Sequence, residues 1–258
     1  LGLRVRVLGG VLAVALLSLL AAACSSRGDV AAPAREPLPE PFRVLLLGDS
    51  ISIGYTPHVE EGLAGRAVVV RPRNSGPKRN PENCAGTNKG VENIDRWLAL
   101  EGGEWDVIHF NFGLHDLKRV HPETGKNSRN ADDPHQADPE RYREQLTTLV
   151  RRMKETDALL VFATTTPVPP GDVRPHREPR DSVEYNAVAL EVMAAEGVDV
   201  NDLFAFASAY PEPIQREADV HFTKEGSAAL GARVTEAILE AAGYPAGAPV
   251  LSSSAGSR

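Results

Sequence analysis

The sequence predicts a three-layer α/β/α sandwich whose central sheet has five, mostly parallel, strands. Five short apolar runs alternate with segments of helical periodicity, a pattern typical of right-handed βαβ units. The runs show no polar alternation, which is expected of strands that are buried on both faces. Hydrophobic residues make up 42% and charged residues 24% of the 258 positions, so the composition is that of a folded protein.

The same patterns place the individual elements. The predicted strands are Phe42–Leu47, Ala67–Val70, Val107–Phe112, Leu159–Ala163 and Val198–Val200. The predicted helices are Ile51–Ala64, Lys89–Leu100, Pro139–Lys154, Asp181–Ala195 and Lys224–Ala242. Two long stretches, residues 114–138 and 167–180, interrupt the alternation and are rich in Pro, His and charge. Loops of this length inside a compact domain are usually functional.

The N-terminal residues 1–23 are interpreted as a signal peptide. Arg4 and Arg6 precede an apolar run that ends directly before Cys24. The end of this run resembles a bacterial lipoprotein signal, in which the cysteine becomes the lipidated first residue. We therefore expect an exported protein of the cell envelope, anchored to a membrane through lipid on Cys24. Ordinary secretion and an uncleaved anchor are the alternatives.

The remaining boundaries follow from composition. Residues 24–41 are rich in Pro, Ala and charge and are predicted to form an extended tether. The folded domain is expected over residues 42–245. Residues 246–258 are small and polar, and the prediction for them is a disordered tail.

Charge and cysteine content exclude several classes of function. The formal net charge of −7 makes nucleic acid an unsuitable partner. The two cysteines, Cys24 and Cys84, cannot form a disulfide framework if Cys24 carries lipid. No CxxC or HExxH string is present, so the sequence implies neither a metal site nor a cofactor.

The first candidate functional residue is Ser50. It follows the first predicted strand in the string Gly48-Asp49-Ser50, and ligands of open α/β sheets bind beyond the carboxyl ends of strands. A serine at this turn has its hydroxyl at a helix N-terminus, where backbone N–H groups favour a developing negative charge. The alternative is that Ser50 only caps the helix.

Two further sequence motifs bear on the interpretation of Ser50. Gly113-Leu114-His115-Asp116 follows the third predicted strand, and Asp219-Val220-His221-Phe222-Thr223 precedes the last helix. With Gly48-Asp49-Ser50, these blocks resemble those of the SGNH or GDSL hydrolases, in particular a bacterial subgroup with Gly-Leu-His-Asp and Asp-Val-His-Phe strings. The resemblance implies a flavodoxin-like fold and a serine esterase that acts through an acyl-enzyme. It makes Ser50 the nucleophile and His221 the general base.

The resemblance also implies an oxyanion hole built from three donors. In the family these are the serine N–H, a glycine N–H after the second strand and an asparagine side chain. Gly86 is the favoured glycine because its segment, residues 83–87, leads directly into the second predicted helix. Gly76 is the alternative. The asparagine position holds His115, so the third donor would be an imidazole N–H in the appropriate tautomer.

The catalytic acid departs from the family pattern. The family places an aspartate three residues before the histidine, and here that position is Ala218. Asp219 is the leading candidate, since a carboxylate is needed to orient the imidazole. Glu217 or a backbone carbonyl could serve instead, and Asp219 could be only a turn or capping residue.

The expected substrate is an O-acetylated carbohydrate or another small ester. This expectation depends on the resemblance and on the predicted export. Acyl transfer to a glycan is one alternative. A carbohydrate-binding relative that has lost catalysis is the other, because Ala218 and His115 replace residues that the family uses.

Overall fold

The computed structural model describes Gly2, residues 35–211, residues 213–245 and Gly247. The predicted signal peptide, the predicted lipidation site at Cys24 and most of the predicted tether and tail lie outside these residues and stay predictions. Within the described ranges, no helix is long and apolar enough to cross a membrane.

A parallel sheet of five strands forms the centre of the domain. The strands are β1 (Phe42–Leu47), β2 (Ala67–Val70), β3 (Val107–Phe110), β4 (Leu159–Ala163) and β5 (Asp199–Asn201). Their order across the sheet is β2-β1-β3-β4-β5, and every neighbouring pair is parallel. The carboxyl ends of all five strands therefore lie at one edge, where β1 and β3 are adjacent. The predicted fold class is confirmed.

Helices cover both faces of the sheet. They are α1 (Ser50–Gly62), α2 (Thr87–Leu98), α3 (Pro139–Lys154), α4 (Pro179–Glu196), α5 (Leu203–Ala209) and α6 (Lys224–Ala241). Helix α1 packs against α6 in one layer, whereas α3 packs between α2 and α4 in the other. Leu45, Leu46 and Leu47 of the central strand β1 are completely buried between the layers. Burial of such a side chain contributes roughly 1.5–3 kcal/mol to the free energy of unfolding.

Several helix and strand boundaries differ from the sequence-based prediction by one or two residues, and one helix was not predicted. Strand β3 ends at Phe110, and the following Asn111 turns its side-chain amide to the Ala163 carbonyl at 2.7 Å. Helix α4 begins at Pro179, because the side chains of Glu178 and Asp181 form a reciprocal capping box there. Helix α5 was not predicted, since seven residues are too few to establish a helical period.

Small residues allow α1 and α6 to approach closely. A methyl group on Gly62 would lie 2.7 Å from the Thr235 hydroxyl, and one on Gly231 would lie 2.5 Å from Cβ of His58. Both helices begin at the carboxyl edge of the sheet, α1 directly after β1 and α6 at its N-cap Thr223. Their packing consequently brings the residues at these two helix N-termini together.

Candidate active site

The turn that carries Ser50 is held by its neighbour Asp49. The carboxylate of Asp49 is buried and accepts a hydrogen bond from the Ile51 N–H at 2.9 Å. The backbone carbonyl of Asp49 accepts a hydrogen bond from the Ser52 hydroxyl at 2.8 Å. Asp49 therefore fixes the turn through backbone contacts, and the Ser50 hydroxyl lies at the first position of α1.

Arg71 stabilises this turn through hydrogen bonds. It was not identified from the sequence. Its buried guanidinium donates to the hydroxyls of Thr56 at 2.6 Å and Ser52 at 3.3 Å. It also donates to the Glu82 carbonyl at 3.0 Å and the Gly48 carbonyl at 3.4 Å. Arg71 thus joins the start of α1 to the loop before α2. A buried arginine with only neutral acceptors cannot be recognised from sequence, because its acceptors are hydroxyls and backbone carbonyls of residues distant in the chain.

Ser50, His221 and Asp219 form a continuous chain of hydrogen-bonding atoms. Nε2 of His221 is 2.9 Å from Oγ of Ser50, and Nδ1 of His221 is 2.7 Å from Oδ1 of Asp219. A carboxylate can only accept, so the ring proton is on Nδ1 and Nε2 is the acceptor for the serine hydroxyl. The arrangement gives Ser50 a general base that is itself oriented by a carboxylate.

The left-handed backbone conformation of Ala218 allows Asp219 to reach the His221 ring, although Asp219 is only two residues before the histidine. Ala218 has φ +49°, and Asp219 follows it with its Oδ1 also accepting the His221 N–H at 3.1 Å. Glu217, by contrast, is exposed and has no hydrogen bond or ion pair with His221. Partial burial would raise the pKa of Asp219, but the hydrogen bonds from the His221 backbone and ring, with the nearby charges, together lower it below its usual value. Asp219 is thus the carboxylate that the structure brings to His221.

The two candidate glycines of the oxyanion hole have different surroundings. Gly86 is the N-cap of α2, in a loop whose Cys84 N–H donates to the Gly48 carbonyl at 3.1 Å beside the Ser50 turn. Gly76 is exposed, at the edge of a separate groove with Arg73 and Arg79. The structure therefore brings the loop of Gly86, and not that of Gly76, next to the turn that carries Ser50.

Gly86 and His115 are linked through Asp116. Oδ1 of Asp116 accepts from the Thr87 N–H at 2.8 Å and from the Thr87 hydroxyl at 2.6 Å, which fixes the start of α2. Burial raises the pKa of Asp116 to about 6 in spite of these hydrogen bonds. A methyl group on Gly86 would lie 2.7 Å from this carboxylate, so only glycine fits.

Replacing Gly86 by alanine is expected to lower kcat/KM for p-nitrophenyl acetate by about 10²-fold, because relief of the clash with Asp116 displaces the loop. The control is Gly76→Ala, where no atom lies within 4 Å of the added methyl group. At Gly76 the positive φ of +140° is expected to cost stability but not activity. Steady-state kinetics with melting temperatures for both variants separate the two effects, and equal kinetic losses would contradict the placement of Gly86.

Two buried cations lie beside His115. Lys118 Nζ is 3.5 Å from Nδ1 of the His115 ring. Arg177, from the loop before α4, donates its Nε–H to the Leu114 carbonyl at 2.8 Å. Burial lowers the pKa of Arg177 to about 10, although the charges of Asp49 and Asp219 act to raise it. Neither cation was identified from the sequence, where the only signal was the length and charge of the two long loops.

A groove of about 250 Å³ opens next to Ser50. Ser50 and His221 form part of its wall. The remaining lining residues are Ile51, Gly54, Arg216, Phe222 and Ser227. In the described part of the chain, no group of three or more His, Cys, Asp or Glu side chains is placed to hold a metal ion.

Residues 46–229 match the profile of the GDSL-like lipase/acylhydrolase family. The chain belongs to this family. The matched range contains Ser50, Gly86, His115, Asp219 and His221, which are the site residues predicted from the sequence. This GDSL-type hydrolase is accordingly an esterase of the acylhydrolase class. No sequence among the curated proteins matches it.

Solved structures share the fold of this GDSL-type hydrolase. The lipase/acylhydrolase from Enterococcus faecalis is 22% identical, with a TM-score of 0.59 over 76% of this chain and 95% of that one. The acetyl xylan esterase AlAXEase is 13% identical, with a TM-score of 0.58 over 76% and 99%. A variant of an acetyl-xylooligosaccharide esterase from Geobacillus is 14% identical, with a TM-score of 0.54 over 79% and 95%. At these identities the likeness establishes the α/β/α fold alone.

Proposed function

We propose that the protein hydrolyses short-chain acyl esters through a Ser50 acyl-enzyme, with O-acetylated carbohydrate as the preferred class of substrate. The observation that carries the reaction type is the hydrogen-bonded chain from Ser50 Oγ through the His221 ring to Asp219, at 2.9 and 2.7 Å. Family membership supplies the reaction class, which is acyl hydrolysis.

The order of proton transfers follows from the tautomer of His221. Nε2 accepts the Ser50 proton as Oγ attacks the ester carbonyl, and Asp219 stabilises the resulting imidazolium. His221 then returns the proton to the departing alcohol, which leaves the acyl group on Ser50. Water activated by the same Nε2 releases the acid and restores the serine.

The oxyanion that forms during attack is stabilised by three donors in this proposal. The N–H groups of Ser50 and Gly86 lie at the starts of α1 and α2, and neither donates to an acceptor in the described part of the chain. Such N–H groups at a helix N-terminus favour negative charge. The imidazole of His115 supplies the third N–H.

The size of the groove supports a short acyl group. About 250 Å³ is at the small end of ligand sites, and Gly54 and Ser227 add little bulk to its wall. Two proteins of the same fold are described as acetyl esterases of xylan or xylooligosaccharides. These observations favour acetylated sugars over long-chain lipids for this chain.

Chain-length preference tests the substrate class. The matched substrates are p-nitrophenyl acetate, butyrate, octanoate and laurate, and acetate release is measured in parallel on acetylated xylooligosaccharides. We expect kcat/KM to be highest for acetate and to fall as the acyl chain outgrows the groove, with release of acetate from the sugar. A preference for octanoate or laurate would contradict the proposed substrate, while leaving the reaction type intact.

Removal of the His115 side chain tests the third donor. His115→Ala is expected to lower kcat by roughly 10²- to 10³-fold with little change in KM, since the lost hydrogen bond is made mainly in the transition state. Stopped-flow or steady-state assays with p-nitrophenyl acetate measure this directly. An unchanged kcat would remove His115 from the oxyanion hole.

A further inference from the structure

His115 and Lys118 lie on the same side of one tight turn. The N–H groups of Asp116 and Leu117 both donate to the Gly113 carbonyl, at 2.8 and 3.0 Å, which coils the chain after β3. Residues three apart on such a turn face the same way. Lys118 is buried, and its ammonium is 3.5 Å from Nδ1 of His115.

The charge of the Asp116 carboxylate acts on the Lys118 ammonium, but the two groups form no ion pair. No ion pair of Lys118 is formed with any described residue within 4.0 Å. Arg177, the other cation here, uses its Nε–H on the Leu114 carbonyl and its Nη1 on the Pro175 carbonyl at 3.4 Å. The partner that the structure gives to the Lys118 side chain is therefore the His115 ring.

An ammonium group carries three donors and no acceptor, so Nδ1 of His115 must be the acceptor of this contact. A neutral imidazole then has its proton on Nε2. Burial, followed by the charges of Lys118 and Arg177, lowers the pKa of His115 to about 3, which keeps the ring neutral near pH 7. His115 is also near enough to His221 for the charge of His221 to lower its pKa further.

The two imidazoles of the site thus have opposite partners on Nδ1. His221 faces the carboxylate of Asp219, which leaves its Nε2 free to accept a proton. His115 faces the ammonium of Lys118, which leaves its Nε2 as an N–H donor. One ring is set up as a base and the other as a hydrogen-bond donor.

We propose that Lys118 is a positioning residue that holds His115 as the Nε2–H tautomer and polarises that N–H toward the oxyanion. This inference rests on the proposed function, because it concerns the third oxyanion donor. The pair His115–Lys118 would then do what a single asparagine amide does, since an amide always presents its N–H whatever its surroundings. A cation on the far nitrogen strengthens the donor at the moment when negative charge develops.

Nitrogen-15 NMR of the imidazole rings tests the tautomer without any assay of activity. In the wild-type protein near neutral pH, His115 is expected to show a protonated Nε2 and an unprotonated, hydrogen-bonded Nδ1. Lys118→Met keeps the apolar part of the side chain and removes the ammonium. In this variant the nitrogen-15 chemical shifts of Nδ1 and Nε2 of His115 are expected to move toward each other, as they do when both tautomers are populated. Lys126→Met is the control, because Lys126 is an exposed lysine of the same loop. A Nδ1–H tautomer in the wild type, or unchanged shifts in Lys118→Met, would overturn the proposal.

A double-mutant cycle tests the effect on catalysis. Lys118→Met is expected to lower kcat by about 10- to 100-fold, less than the loss of the donor itself, with KM nearly unchanged. In a His115→Asn background the same change is expected to alter kcat by less than about twofold, because an amide needs no tautomer control. Equal losses in both backgrounds would show that Lys118 only supports the fold.

The two hypotheses fail in different ways. Loss of the proposed function appears as turnover that does not depend on Ser50. Failure of the Lys118 inference appears as Ser50-dependent turnover that is indifferent to Lys118, together with wild-type NMR shifts in Lys118→Met. Melting temperatures of each variant identify any change that comes from a damaged fold.

Discussion

Ser50→Ala is expected to lower kcat for p-nitrophenyl acetate by a factor on the order of 10⁶. Oγ of Ser50 lies 2.9 Å from Nε2 of His221 and would form the acyl bond, and no other described side chain has a hydrogen bond with Nε2. Residual turnover would reflect the oxyanion donors acting on water. Steady-state assays at high enzyme concentration, with a melting temperature for each protein, measure the loss.

Ser227→Ala is the matched control for this change. Ser227 is another serine of the same groove, but its hydroxyl has no hydrogen bond to His221. We expect its kcat to fall by less than about tenfold. Comparable losses at both serines would contradict the assignment of a single nucleophile.

Asp219→Asn is expected to lower kcat by roughly 10³- to 10⁴-fold. The amide can turn an N–H toward Nδ1, which places the ring proton on Nε2, where it blocks acceptance of the serine proton. The volume is nearly unchanged, so the melting temperature is expected to fall only slightly. Kinetics and calorimetry on the purified variant distinguish loss of catalysis from loss of fold.

Glu217→Gln is the control for the catalytic acid. Glu217 is exposed, two positions before Asp219 on the same loop, and has no hydrogen bond or ion pair with His221. Its removal is expected to leave kcat within about twofold of the wild type. A large loss of kcat in Glu217→Gln would contradict the assignment of Asp219 as the carboxylate that orients His221.

Much of the fold could be predicted because strand burial leaves a direct signal. The continuous apolar strings of β1 and β4 predict strands covered on both faces, and their bounds agree with the structure. The short helix α5 was missed, and the capped start of α4 was displaced by two residues. In both cases local side-chain contacts decide the boundary, and periodicity does not report them.

The site was only partly accessible from the sequence. Ser50 and His221 stand in recognisable blocks, so they could be named without coordinates. The position of Asp219 depends on the left-handed backbone conformation of Ala218. An alanine in the sequence does not indicate that conformation. Lys118 and Arg177 belong to long loops, and their approach to the site is set by tertiary packing.

Covalent trapping of the nucleophile tests the central claim most directly. The wild-type protein, Ser50→Ala and His221→Ala are each incubated with a p-nitrophenyl phosphonate and analysed by intact mass and peptide mapping. The account predicts one phosphonyl group per wild-type chain, located on Ser50, with none on Ser50→Ala and much slower labelling of His221→Ala. Labelling at another residue, or equal labelling of Ser50→Ala, would contradict Ser50 as the nucleophile of this hydrolase.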